Sequence, residues 1–461
     1  MSDKKNREDS TVGRNKPKLD ATGVAMRFLT SIAGSDFAEK YNLQPKIDRV
    51  VYESTKTGFK TLGAANRQFK KVKGTGKPAR PAEQAQAQAP EESKKKVFDL
   101  TPTDDQKMIV ETVKEFAETR LRDVAADCDA KAAPPETLLG ESSELGVALI
   151  NVPEEFEGIA TGADVTTNAL VAEALAYGDM GLAVPVLAPA GVAATLTAHG
   201  SDSQQKTYLP SFAGENVPAA AVVVAEPRPL FDARKLETTV RKEGADLVLD
   251  GVKSFVPNAG TAEVFIVGAA LEGKPVLVIV ESDTEGLHVE ADPSMGLRGA
   301  AMGRLHLKNV RVPADNLIGE GDEATEAYMD VVRRARLGWA ALACGTGQAV
   351  LDYVIPYVNE REAFGEPISH RQAVAFMVAD IKIELDGLRM LTLRGTSRAD
   401  QGLSFTREAG LAKRFAADKG MKIGSDGVQL LGGHGFTKEH PVERWYRDLR
   451  GIGVAEGVVV L

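Results

Sequence analysis

Four groups of residues in this 461-residue sequence have side chains able to do chemistry. Glu456 stands between Ala455 and Gly457. Held against a weakly acidic carbon, a carboxylate of this kind acts as a general base; left alone near a C-terminal end, it is ordinarily a solvated surface group. Arg361, in the stretch Arg361-Glu362-Ala363-Phe364-Gly365, offers the planar fork that suits a diphosphate. The competing reading is an exposed arginine at a helix end. Gln429-Leu430-Leu431-Gly432-Gly433 carries two glycines that let backbone approach a phosphate, although a glycine pair more often just ends a helix. Arg333, Arg334 and Arg336 form a cationic cluster, and the usual fate of a charge run is a solvated helix face.

The length allows two or three structural units with a large core. Hydrophobic residues make up 43% and charged residues 26% of the chain, as in a soluble globular protein. A formal net charge of -9 argues against nucleic acid as a partner. Two cysteines, Cys128 and Cys344, supply neither a disulfide framework nor a zinc site, which fits a reducing compartment. No apolar run reads as long enough to span a bilayer, and the first ten residues resemble neither a secretory signal nor a transit peptide. The expectation is a cytoplasmic protein. The Lys and Arg content of the N-terminal extension permits at most peripheral docking on a membrane or a partner.

The elements that must position these groups fall into zones. Residues 1–70 alternate short apolar patches with charge and read as an extension that forms a helix or two. Residues 71–97 are Pro, Ala, Gln and Lys with little to bury, so they read as a disordered linker. Residues 98–217 are helical: Thr101 is a candidate cap, and Ile109, Val113, Phe116, Leu121 and Val124 share one face. Residues 218–318 hold short β-rich runs, including Ala221–Val224, Leu247–Leu249, Val264–Val267 and Val276–Val280, punctuated by Gly, Pro, Asp and Asn. Residues 319–461 return to helix, with Val374, Met377, Val378, Ile381, Leu385, Leu388 and Leu391 on one stripe, as in an antiparallel bundle. The fold class is mainly α with a middle β-domain.

From Phe98 onward the chain resembles the acyl-CoA dehydrogenases, closest in feel to their very-long-chain branch. The stretches that carry the resemblance include ELGVALINVPEEFEG (144–158), DGVKSFVPNAGTAE (250–263), MGLRGA (295–300), VRVPADNLIGEG (310–321), REAFGEPISHRQA (361–373), QLLGGHGFTKEHPVERWYRDLRG (429–451) and AEG (455–457), all in family order. The resemblance implies an N-terminal helical domain, a middle β-barrel-like domain and a C-terminal four-helix bundle. It implies FAD bound between domains and across a subunit interface, in a homodimer or homotetramer. The reaction that the resemblance implies is α,β-dehydrogenation of an acyl-CoA thioester to a trans-2-enoyl-CoA in fatty acid β-oxidation. A proton leaves Cα, a hydride leaves Cβ for the flavin, and an electron-transfer flavoprotein is the acceptor.

In that frame Glu456 matches the base, and a carboxylate in an apolar pocket becomes a stronger one. Arg361 and Phe364 match contacts to the FAD pyrophosphate and adenosine, and Gln372 lies at the matching position of the following HRQ. Gln429, Gly432 and Gly433 match the turn that touches the same FAD from the neighbouring subunit. Arg336 matches an arginine near the thioester end of the substrate. Phe255 and Pro257 stand where the family has W-I-T or W-I-S against the flavin. Phe255 keeps a ring to stack, whereas Pro257 offers neither hydroxyl nor N–H.

Three further departures stand out. The family's TEP-x-AGSD loop reads Ala225-Glu226-Pro227-Arg228-Pro229-Leu230-Phe231-Asp232, the threonine after the base's glycine is Val458, and the chain stops at Leu461 where relatives continue. Each lost hydrogen bond to the cofactor is worth roughly 0.5–1.5 kcal/mol, so FAD affinity is expected to be weakened. The alternative function is therefore a non-catalytic or hetero-oligomeric subunit that binds acyl-CoA or a partner.

Overall fold

The computed structural model describes Phe28, residues 100–160, Gly162 and residues 164–461. The extension and linker expected at 1–70 and 71–97 lie outside the described residues, Phe28 apart. Phe28 is buried and lies against Gly146.

Among the described residues, six helices form the first unit: α1 (Asp104–Phe116), α2 (Arg122–Lys131), α3 (Leu138–Glu144), α4 (Val165–Gly178), α5 (Met180–His199) and α6 (Asp202–Ala213). The cap of α1 is Thr103 rather than Thr101. Thr103 Oγ1 accepts from Gln106 N at 3.2 Å, while Gln106 Oε1 accepts from Thr103 N at 2.9 Å. The Thr-x-x-Gln spacing closes this reciprocal box and fixes the start two residues later. A π-helical turn, Ala117–Leu121, joins α1 to α2. By length and composition α5 is apolar enough to cross a membrane, contrary to the sequence expectation, yet 89% of its apolar window is buried inside the protein. It is a core helix, closed at its N-terminus by Asp179, whose carboxylate accepts from Leu182 N.

The middle unit is a mixed sheet of β1 (Ala220–Val223), β2 (Thr239–Glu243), β3 (Asp246–Val256), β4 (Val264–Leu271), β5 (Lys274–Glu281), β6 (Leu287–Ala291), β7 (Gly303–Pro313) and β8 (Leu317–Ile318). The strand order is β6-β7-β3-β2-β4-β5-β8, with β1 parallel to β4. Register slips between Lys253 and Val256 where β3 meets β7. Such irregularities re-aim side chains, and this one contains Phe255 at φ 63°. A left-handed backbone is unfavourable for a bulky residue, and it turns Phe255 toward the helices.

The last unit has three long helices, α7 (Gly321–Glu360), α8 (Gln372–Asp400) and α9 (Thr406–Leu430), and the short α10 (Val442–Gly451). A short hairpin of β9 (Glu362–Ala363) and β10 (Glu366–Pro367) separates α7 from α8. The expected four-helix bundle therefore has a fourth helix of only 10 residues. Beyond it the backbone turns to the sheet: Val458 N donates to Val222 O at 2.8 Å, and Gly457 bridges Val223.

Buried charges lock α10 in place. Arg444 Nε reaches Asp179 at 2.9 Å, Arg447 forks onto Asp129 at 2.7 and 2.8 Å, and Leu297 N donates to Asp448 Oδ1 at 2.5 Å. Burial, reinforced by the Asp179 carboxylate, pushes Asp448 up to about 8. Folded protein thus holds a proton that the unfolded chain releases near the ordinary aspartate value, so stability is lost as pH rises through about 8. Asp448→Asn keeps an acceptor for Leu297 N without titrating. In urea unfolding at pH 6 and pH 9, the wild type is expected to lose a few kcal/mol more than the variant; equal losses would refute this account.

Candidate functional site

The loop after α10 brings Glu456 back against α7. Its carboxylate meets Arg336 in a forked pair: Nε lies 3.1 Å from each oxygen and the terminal nitrogen 2.9 Å from Oε1. The glutamate side chain is 13% exposed and the arginine 27%. The pocket around the carboxylate is therefore ionic rather than apolar, which corrects the expectation of a base strengthened by apolar burial. Arg336 is brought directly onto Glu456. Its neighbours take other partners: Arg333 pairs with Glu326 and Asp330, and Arg334 pairs with Asp330 at 2.6 Å.

Two further side chains grip the backbone on either side of Glu456. Trp339 Nε1, one turn along α7 from Arg336, donates to Gly457 O at 2.9 Å. Lys413 Nζ, from α9, donates to Ala455 O. Close packing sets the loop's path, because an added Cβ at Gly338 would meet Val459 O at 2.1 Å and one at Gly191 would meet Val458 O at 2.7 Å. Phe255 stands beside this centre, its ring 5.8 Å from that of Trp339. Pro257 is buried just beyond it.

The altered loop at 225–232 is anchored by an internal ion pair. Lys253, fully buried, places Nζ 3.0 Å from Glu226 and also donates to Val224 O. Glu226 accepts from Glu237 N and Thr238 N as well. Desolvation drops Lys253 to about 8 against the opposing pull of Glu226. The loop tip is Leu230, 99% exposed at φ 53°, and Arg228 lies over the Phe231 ring.

A second cluster lies on the bundle. Arg361, Phe364, Gln429, Gly432 and Gly433 line one groove of about 740 Å³, together with Tyr357, Arg371 and His434. Gln372 is exposed at the start of α8 and is not among the lining residues. Space around Gly432 and Gly433 is open, with nothing within 4 Å of an added Cβ, and Gly432 adopts φ 57°. Among the described residues Arg361 has no ion-pair partner. A free guanidinium facing a glycine turn fits a diphosphate. None of the groove residues contacts Glu456, Arg336 or Phe255, so the chain carries two distinct clusters.

Sequence reading missed Trp339 and Lys413. Both carried a signal. Trp339 is three residues after Arg336 and so shares its helix face. Lys413 falls on the stripe Ala409, Ala416, Gly420, where three of four residues are small and buried. A lysine on that stripe asks for an acceptor.

Comparison with known proteins covers all three units. The family descriptions "Acyl-CoA dehydrogenase, N-terminal domain", "middle domain" and "C-terminal domain" match residues 103–216, 221–310 and 325–458. A relative from Bacillus subtilis, "Probable acyl-CoA dehydrogenase YngJ", is 33% identical over 369 residues, covering 78% of this chain and 96% of its own length. The structure of butyryl-CoA dehydrogenase from Megasphaera elsdenii superposes with a TM-score of 0.72 at 29% identity, over 78% of this chain and 97% of that one. Glutaryl-CoA dehydrogenase from Mycobacterium smegmatis, solved in complex with FADH2, gives a TM-score of 0.69 at 25% identity over 77% of this chain and 90% of its own. The chain belongs to the acyl-CoA dehydrogenase family, FAD-dependent oxidoreductases that act on CH–CH bonds.

Proposed function

We propose that this protein dehydrogenates an acyl-CoA thioester between Cα and Cβ to the trans-2-enoyl-CoA, as a step of fatty acid β-oxidation, with Glu456 as the base. The observation that carries the reading is the shielded Glu456 carboxylate paired with Arg336 beside Phe255. Bound FAD supplies the two-electron oxidation. The protein's own task is to take the Cα proton and stabilise the charge left on the thioester oxygen.

The forked pair does both. Arg336 Nε is shared between the carboxylate oxygens while its terminal nitrogen holds only Oε1. A small rotation frees Oε2 for the proton without breaking the stronger contact. Once protonated, Glu456 no longer balances the guanidinium, whose charge then faces the developing enolate.

The groove at Arg361, Phe364 and Gly432–Gly433 is read as the part of the FAD site offered to a neighbouring copy. Exposed apolar residues support an oligomer: Phe364 at its rim, 96% exposed, and Phe376, Ile383 and Met390 spaced by seven along α8. An electron-transfer flavoprotein is the proposed acceptor.

The purified protein should be yellow, or turn yellow with added FAD, and bleach anaerobically when an acyl-CoA is added. A series of chain lengths then assigns the substrate. The 225–232 loop and Pro257 favour one other reading, a subunit that binds thioester without oxidising it. A protein that binds acyl-CoA by calorimetry yet stays colourless would establish that reading instead.

A further inference from the structure

We propose that Lys413 is a positioning residue for the base, holding the Ala455 carbonyl so that the peptide bearing Glu456 is fixed from both sides. The inference rests on the reading of Glu456 as the base and deepens it. Three side chains hold this peptide. Lys413 takes Ala455 O, Trp339 takes Gly457 O, and Arg336 takes the carboxylate. The first comes from α9 and the other two from α7, so the loop is gripped between two helices that pack together. With these two carbonyls held, the short segment bearing Glu456 is clamped at both ends. A base needs this arrangement, because misplacement by about 1 Å can cost a hundredfold in rate.

Lys413 is poorly explained as a packing residue. It shares its stripe with Ala409, Ala416 and Gly420, where an apolar side chain would be cheaper to desolvate. Its ammonium lies 5.9 Å from the Trp339 ring centroid. The charged groups facing it are Glu456, which favours the ammonium, and Arg336, which opposes it; desolvation outweighs both and lowers Lys413 to about 8. Holding a cation there against desolvation suits a functional contact better than a stabilising one.

The test separates proton removal from oxidation. A 3-thia-acyl-CoA has no hydrogen at the β-position, so the holoenzyme can exchange its α-protons with D2O but cannot dehydrogenate it. Exchange is followed by mass spectrometry in wild type, Lys413→Met, Lys413→Arg and Glu456→Gln, alongside thioester affinity and thermal unfolding. Lys413→Met is expected to slow exchange at least tenfold, with affinity within threefold and an unfolding midpoint unchanged or higher. Lys413→Arg should recover part of the rate. Wild-type exchange in Lys413→Met, with Glu456→Gln inactive, overturns the inference and leaves the base reading intact. Full exchange in Glu456→Gln sinks the base reading itself. A Met variant that unfolds earlier, with an Arg variant that regains stability but not exchange, assigns Lys413 to the fold and also overturns the inference.

Discussion

Glu456→Gln is expected to lower kcat for acyl-CoA oxidation by about a thousandfold, within the range of about 10²–10⁴ that a positioned general base contributes. Glutamine is close in shape, and its amide oxygen can still accept from Arg336. The loop should therefore keep its place through Trp339 and Lys413. What disappears is the acceptor for the Cα proton. Because the change acts on chemistry and not on binding, thioester affinity and bound flavin should stay within a few-fold of wild type. Stopped-flow bleaching of the flavin measures the step directly. A variant that bleaches within tenfold of wild type would show that the proton leaves by another route. Arg336→Met should behave differently. It leaves a shielded carboxylate without its counter-charge, so it should impair folding stability as well as rate, and the two variants together distinguish loss of a base from loss of a site.

Much of this arrangement was legible in the residues. The order of helices, β-rich runs and helices followed from periodicity, and Ile381, Leu385 and Leu388 on α8 are buried as their spacing predicts. The Thr101 cap was off by two because a capping box depends on a reciprocal bond that only Thr103 and Gln106 can close. Helix α5 evaded the bilayer criterion because its two prolines, Pro185 and Pro189, interrupt the run of strongly apolar residues without ending the helix. At the site, the types of Glu456, Arg336 and Arg361 are visible in the sequence. Their partnerships are not. Arg336 and Glu456 lie 120 positions apart, and nothing local distinguishes an arginine facing a thioester from one paired with the base. A separation of 42 positions hides Lys413 too: its place on a small-residue stripe is local, but its acceptor, the Ala455 carbonyl, belongs to another element. The second apolar stripe of α8, Phe376, Ile383 and Met390, was written in the sequence too, but the stronger core stripe of the same helix masked it.

That second stripe leads to the other large effect. Phe364→Asp combined with Phe376→Asp is expected to break the proposed oligomer into monomers and to release FAD. Phe364 is 96% exposed and Phe376 62%, and burying a phenylalanine is worth about 1.5–3 kcal/mol. In a two-fold dimer each substitution occurs twice, so even partial additivity weakens association at least a hundredfold, since about 1.4 kcal/mol corresponds to tenfold. Carboxylates at the groove rim also repel a diphosphate there. Sedimentation velocity reads the assembly, and flavin absorbance after gel filtration reads the cofactor. The two readouts should fall together, because the free guanidinium of Arg361 and the open turn at Gly432–Gly433 lie on the bundle, whereas Glu456 and Phe255 lie where α7 meets the sheet. The proposed arrangement has one cofactor touching the two halves from different copies. A monomeric variant that keeps its flavin would show that one chain suffices. Arg361→Ala supplies the control: it should stay oligomeric yet lose FAD affinity at least tenfold, separating the groove's charge from its role in assembly.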